Sequence, residues 1–195
     1  MGGERERQRT ALFLILGLGV MTGCIMIAMI GYVAGDRIAS FLGLDSSEEA
    51  LSGPAIPVGQ PAPDFTAYTL NGEAITLSDL RGTPVAVNFW ATWCPDCRRE
   101  IPLLEEIASR YADEGLVFLA VDVAEPISVV QPFVEQNNMS LTVLLDPQGE
   151  IGNLYQIWAY PTTVWVDAEG IVQYVQLGNM TAELADRYMA ELLSE

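Results

Sequence analysis

The sequence predicts an α/β fold in which one mixed sheet is covered by helices, and three observations predict it. Apolar runs of strand length alternate with stretches of helical spacing between Val85 and Gln156. An antiparallel hairpin and a terminal helix close the chain after them. The length, 195 residues, allows one core plus appendages and is short for two full domains. Alternating strands and helices call for parallel pairing, and the closing hairpin adds antiparallel strands, so the sheet is mixed.

The first expected element precedes the sheet. No charge occurs between Arg9 and Asp36, and Ala11 to Ala34 is apolar apart from Thr22 and scattered glycines. At about 1.5 Å per residue, roughly 24 helical residues reach about 36 Å, enough to cross a hydrocarbon layer of about 30 Å. Residues 11–34 are therefore expected to be a transmembrane helix serving as a signal anchor. Arg5, Arg7 and Arg9 precede it and only Arg37 follows closely, which places residues 1–10 in the cytoplasm and the rest of the chain outside. A cleavable signal peptide has a shorter apolar core, of roughly 7 to 15 residues, and a small-residue cleavage site. A lipoprotein-type cut before Cys24 would leave the apolar Ile25 to Val33 attached, so Cys24 reads as a small apolar residue of the helix. Residues 35–58 contain Ser46, Ser47, Gly53, Pro54 and Pro57, show no sustained periodicity, and read as a stalk. Residues 59–195 form the soluble domain.

Within that domain, Phe65 to Leu70 and Glu73 to Leu77 flank Asn71-Gly72 and predict a hairpin, because Asn-Gly supplies the positive φ angles of a two-residue turn. Val85 to Trp90 is a nearly continuous apolar run suited to a buried central strand. Pro95 to Glu114 follows with helical spacing through Ile101, Leu104, Ile107, Ala108 and Tyr111. Pro102, inside it, is expected to kink it. Val117 to Val121 reads as a second buried strand, and Ser128 to Asn137 as a helix that Pro132 breaks or delays. Leu141 to Leu145 reads as a third strand and Glu150 to Gln156 as a short helical turn. Thr162 to Val166 and Ile171 to Leu177 flank Asp167-Ala168-Glu169-Gly170 as the closing hairpin, and Thr181 caps a helix through Leu193.

Composition removes much chemistry. Nine basic residues, all arginine, stand against 26 acidic ones, for a formal charge of −17, and there is no histidine. Nucleic-acid binding lacks its basic patches. Ser-His and Cys-His triads, His-ligated zinc or copper and His-ligated haem are excluded for this chain alone. The acidic surface keeps the domain soluble and can steer a basic partner at low salt. With three cysteines, Cys24, Cys94 and Cys97, a disulfide scaffold is excluded as well.

What remains converges on Trp93-Cys94-Pro95-Asp96-Cys97, two thiols three residues apart where a strand ends and a helix begins. Binding chemistry collects at the carboxyl ends of parallel strands. A sulfur at Cys94 would face the unpaired N–H groups and positive end of the helix, so its pKa should fall below the free value of about 8.5 and it becomes the nucleophile. Pro95 suits the first turn, where its missing N–H costs nothing. Cys97, one turn on, can resolve a mixed disulfide. Asp96 favours the helix start but opposes a nearby thiolate. Two thiols without histidine make a zinc site remote, Arg98 after Cys97 excludes a haem-attachment motif, and a static bridge over three residues would stabilise little. Trp90, Trp93 and Phe89 flank the dithiol as an apolar approach surface, with Trp93 exposed and Phe89 in the core.

The run from Asn88 to Pro102 resembles the membrane-anchored, extracytoplasmic thioredoxin-like proteins of the TlpA/ResA group, related to the AhpC/TSA redoxins. Ala62-Pro63-Asp64-Phe65, Leu77-Ser78-Asp79-Leu80-Arg81-Gly82 and Tyr160-Pro161-Thr162-Thr163 match the same group in order and spacing. The resemblance covers about Gly59 to Glu195. It implies a thioredoxin fold with an N-terminal β-hairpin extension and an insertion between the second strand and its helix. It implies a cis Pro161 facing the dithiol, with Trp93, Pro95, Tyr160, Pro161 and Thr162 binding substrate polypeptide, and no cofactor beyond a redox-active Cys94–Cys97 disulfide. Asn88 stands where cytoplasmic thioredoxins carry a buried aspartate. Glu125 matches a glutamate beside the group's active site and would take the proton from Cys97 and gate substrate entry, with Asp122 as its rival.

The function expected from this is a membrane-tethered, extracytoplasmic protein-disulfide reductase. The resemblance implies substrates such as apocytochrome c and electrons from a CcdA/DsbD-type membrane partner, since the compartment is oxidising. Two alternatives stand beside it. A thiol peroxidase would need a PxxxTxxC pattern, whereas Val87 and Ala91 occupy the proline and threonine places before Cys94. A Cu(I)-delivery module could use both thiolates but lacks the histidine such modules carry.

Overall fold

The computed structural model describes residues 56–193 of the chain. The expected cytoplasmic terminus, transmembrane helix and most of the stalk lie outside the described residues; among those described, no helix is long and apolar enough to cross a membrane.

Seven strands form one sheet in the order β2-β1-β5-β4-β3-β6-β7. They are β1 (Thr66–Thr69), β2 (Ala74–Thr76), β3 (Val85–Trp90), β4 (Val117–Val123), β5 (Thr142–Asp146), β6 (Thr162–Val166) and β7 (Val172–Leu177). The helices are α1 (Pro95–Arg110), α2 (Ile127–Asn137), α3 (Glu150–Leu154) and α4 (Ala182–Leu192). β3, β4 and β5 run parallel, whereas β1, β2, β6 and β7 join antiparallel, as the mixed alternation requires.

Both faces of the central strands are covered, which is why they read as continuous apolar runs. On one face Ala86, Trp90, Phe118, Ala120 and Trp165 meet Ile101, Leu104 and Ile107 of α1, Val130 of α2 and Met189 of α4. On the other, Val85, Val87, Phe89, Leu119 and Val121 meet Ile151 and Tyr155 around α3 together with the N-terminal segment. Ile56, expected in the stalk, is buried in that second layer, so the packed domain starts before residue 59.

The family-like segments outside the dithiol prove to be fastenings. The Asp64 carboxylate accepts 2.8 Å hydrogen bonds from the Ser78 N–H and hydroxyl, fixing the 3-10 turn Leu77–Leu80. Arg81 reaches the Glu169 carbonyl, lying where a Cβ on Gly170 would sit, and the Tyr155 hydroxyl donates to the Pro63 carbonyl at 2.7 Å.

Three local expectations are corrected. Of Asn71 and Gly72 only Gly72 has positive φ, and the Gly72 N–H reaches Thr69 O while the Thr69 N–H reaches Glu73 O. The hairpin therefore closes with a three-residue loop ending in a left-handed glycine, and not with a two-residue turn. Pro132 neither breaks nor delays α2, which starts at Ile127, one residue earlier than expected, and runs through it. Trp90 is 2 % exposed and belongs to the core under α1, not to an approach surface. The implied insertion takes the form of α2 and β5, between β4 and α3.

Candidate active site

All six residues of β3 are buried, and the chain leaves the sheet after Trp90. The Cys94 N–H closes a turn onto Ala91 O at 3.1 Å, and Cys94 becomes the N-cap of α1 with Pro95 at its first position. Its Sγ accepts the Cys97 N–H at 3.1 Å, the place a capping oxygen takes in other helices. Cys94 and Cys97 are joined as a disulfide, Cα atoms 5.3 Å apart, and both are buried. Asp96 is ion-paired with Arg99 on the exposed side of the same turn, so the charge expected to oppose a thiolate is met locally. α1 continues through Pro102 to Arg110.

Trp93 and Tyr160 frame the dithiol. Trp93 is 62 % exposed and meets the Tyr160 ring edge-on at 5.7 Å. The Tyr160–Pro161 peptide is cis, as the resemblance implied. Because β6 runs antiparallel to β3 with Thr162 opposite Phe89, this loop lies at the same end of the sheet as Cys94. Pro95 is exposed. Thr162 is fully buried and its hydroxyl donates to the Ala159 carbonyl at 2.8 Å, so it braces the loop and offers no side-chain group to a substrate. Exposed Trp158, in the same loop, was missed; its only signal was an aromatic two residues before Tyr160.

Two buried acids approach from β4. Glu125 is buried, and its carboxylate accepts the Thr92 N–H at 2.6 Å and the Thr92 hydroxyl at 2.8 Å, two residues before Cys94. Ala124 delivers it there with φ +62°, a left-handed conformation that is uncommon for alanine. Asp122 stands opposite Trp90 in the parallel register and points to the face that α1 covers. It is 0 % exposed, no N–H or O–H donor reaches either carboxyl oxygen, and the Glu125 carboxyl is its hydrogen-bonding neighbour. Burial pushes its carboxyl up to about 9, and the charges of Glu125 and Asp146 push the same way. Asn88, on the neighbouring strand, ties its amide to the Thr163 hydroxyl at 2.9 Å. The buried carboxyl of this site thus comes from β4, not from β3.

A third acid, Glu100, faces inward one turn after Cys97. Its carboxylate accepts the Met180 N–H ahead of α4, and burial pushes it up to about 7. Among the described residues, no group of three or more His, Cys, Asp or Glu side chains is placed to hold a metal ion.

An AhpC/TSA family model matches residues 58–175. The thiol-disulfide oxidoreductase ResA of Geobacillus kaustophilus is 38 % identical over 138 residues, 71 % of this chain and 79 % of that protein. The thioredoxin-like protein YneN of Bacillus subtilis is 34 % identical over 165 residues, 83 % of this chain and 91 % of that one. Among solved structures, a thiol:disulfide interchange protein of the thioredoxin family from Chlorobium tepidum superposes with a TM-score of 0.61 at 30 % identity, covering 74 % of this chain and 99 % of its own.

Proposed function

We propose, from the premise that this chain belongs to the AhpC/TSA family and is a thiol-disulfide oxidoreductase of thioredoxin-like fold, that it is a membrane-tethered, extracytoplasmic reductase of protein disulfides. The observation that carries the chemistry is the Cys94 sulfur at the N-cap of α1, receiving the Cys97 N–H. That placement stabilises an anion on sulfur and makes Cys94 the attacking nucleophile. Because the same stabilisation favours the dithiol and raises the reduction potential, the reducing direction rests on the resemblance to the ResA group and on a donor that keeps the dithiol supplied.

In the reducing direction the Cys94 thiolate attacks a substrate disulfide, forming a Cys94–substrate bond and releasing the other substrate sulfur as a thiolate that takes up a proton. Cys97 then gives its proton to Glu125 and attacks Cys94. The internal disulfide forms as the bond to substrate breaks, and the second substrate sulfur leaves with the electron pair. Two electrons pass to the substrate. Restoring the dithiol requires a two-electron thiol donor, for which a CcdA/DsbD-type membrane protein suits a domain held outside by residues 11–34. Trp93, Pro95, Tyr160 and Pro161 would bind an extended polypeptide such as the haem-site segment of an apocytochrome c.

The test is the reduction potential of the Cys94/Cys97 couple in the full chain, purified in mild detergent. A value near or below about −270 mV, that of thioredoxin, is expected; a value near −120 mV, that of a strong oxidant, would reverse the direction.

A further inference from the structure

Asp122 is the least explained charged side chain in the domain. Its carboxyl is fully buried, no N–H or O–H donor from the rest of the chain reaches either oxygen, and its hydrogen-bonding neighbour is the Glu125 carboxyl. A buried carboxyl that no donor satisfies costs stability, so its persistence beside the dithiol calls for a use. It lies three residues before Glu125, at the end of β4 next to Trp90, on the sheet face that α1 and Cys97 cover. Glu125 is in turn fixed to Thr92, in the loop that carries Cys94. The groups whose charge acts on Asp122 are acidic: Glu125 from the β4–α2 loop and Asp146 from the end of β5. From the loop before β6, the Tyr160 phenol feels Asp122 in its turn. α1 contributes the two cysteines, and its own buried acid Glu100 responds to Asp96 instead.

We propose that Asp122 and Glu125 work as one proton-handling pair, in which Asp122 is the positioning member that keeps a proton beside Glu125 while Glu125 exchanges with Cys97. This rests on the reading above that Glu125 accepts the Cys97 proton. When Cys97 gives up that proton, the pair goes from one bound proton to two and later releases one to solvent. No further reactant is needed. A pair holding one proton carries a single negative charge in the buried pocket, whereas two ionised carboxylates would repel each other there. Burial that holds the Asp122 proton through neutral pH agrees with this assignment.

The test follows the second, resolving step in full-length chain in detergent. The Cys94 mixed disulfide with thionitrobenzoate is formed, and its decay is recorded from pH 5 to 10 in wild type, Asp122→Asn, Glu125→Gln and the double variant. The expected result is that Glu125→Gln slows resolution at pH 7 by about 100-fold, within the range of a general base. Asp122→Asn is expected to slow it by about tenfold and to displace the inflections of the pH profile. The double variant should be no slower than Glu125→Gln, because the two act as a unit. A profile for Asp122→Asn that overlays wild type while Glu125→Gln is slow would overturn the pair and leave Glu125 standing. An unimpaired Glu125→Gln would overturn the pair together with the reading beneath it. A measurement on wild type covers the case in which Asp122→Asn does not fold. The infrared difference spectrum between disulfide and dithiol forms should contain a protonated-carboxyl C=O band that moves with redox state, and a spectrum without one sinks the proposal.

Discussion

At the scale of single residues, the domain is organised by where buried acids stand relative to sulfur. Glu100 illustrates the linkage to stability. Its folded pKa, about 7, lies above the ordinary 4.5, so the folded chain binds its proton more tightly than the unfolded chain does. Stability from this group is present below about pH 4.5 and falls as pH rises through 7, by about 3 kcal/mol at most. Glu100→Gln, which keeps an acceptor for Met180, should make the fall in melting temperature between pH 4.5 and 7 shallower but not flat, because Asp122 loses stability through the same window. The loss that Asp122 continues toward pH 9 should remain, and thermal melts across that range decide it. Trp93 makes a different prediction: exposed and touching Tyr160 only by its edge, it should contribute less than about 1 kcal/mol to folding. Trp93→Ala should therefore leave the melting temperature nearly unchanged while raising KM for a disulfide-bonded peptide severalfold; an unchanged KM would remove Trp93 from the binding surface. The dithiol itself was legible, because residue type, spacing and position at a strand end all point to one chemistry. Asp122 was legible only as an odd acid in an apolar run, since a sequence does not tell a solvated aspartate from a buried one.

Single elements show which local signals survive packing. Helix α4 begins where a capping residue foretold it: the Thr181 hydroxyl accepts the Leu184 N–H at 3.2 Å. Proline was the misleading signal, for α2 accommodates Pro132 within its helical turns, and the Asn-Gly pair exerts its preference through one residue instead of two. Neither outcome was readable locally, because tertiary contacts outweigh the preferences of one or two residues. Close approach was likewise invisible. A Cβ on Gly152 of α3 would stand 2.8 Å from Val123 Cγ1, while its N–H donates to Asp146 at 2.9 Å. Gly152→Ala should cost about 1–3 kcal/mol through overpacking, read as a lowered denaturation midpoint at unchanged slope. Ala124 offers the opposite case. Its left-handed φ of +62° at an exposed position means that Ala124→Gly should stabilise the domain by up to about 1 kcal/mol, and a loss of stability would show that the alanine methyl is needed there.

Over the whole molecule, charge and topology decide how partners arrive and how the architecture holds together. The chain carries a net −17, so its encounter rate with a cationic disulfide peptide should fall as salt is raised from about 10 to 150 mM, while that with an anionic peptide should rise. Stopped-flow rates at several ionic strengths separate this from contact-driven recognition, which would show no such divergence. The alternation of strand and helix made the layered sheet legible from composition and period alone, whereas the strand order was not, because pairing is settled between segments far apart in the chain. That order has a consequence for how such a domain can be cut or built. The hairpin β1–β2 meets the rest of the sheet only through β5, and β5 arrives only with the insertion between β4 and α3. Terminal extension and internal insertion are thus a single module installed at two sites of the chain: trimming residues 127–146 would strand the hairpin without a neighbour, and grafting the hairpin onto a scaffold lacking β5 would give it nothing to bind.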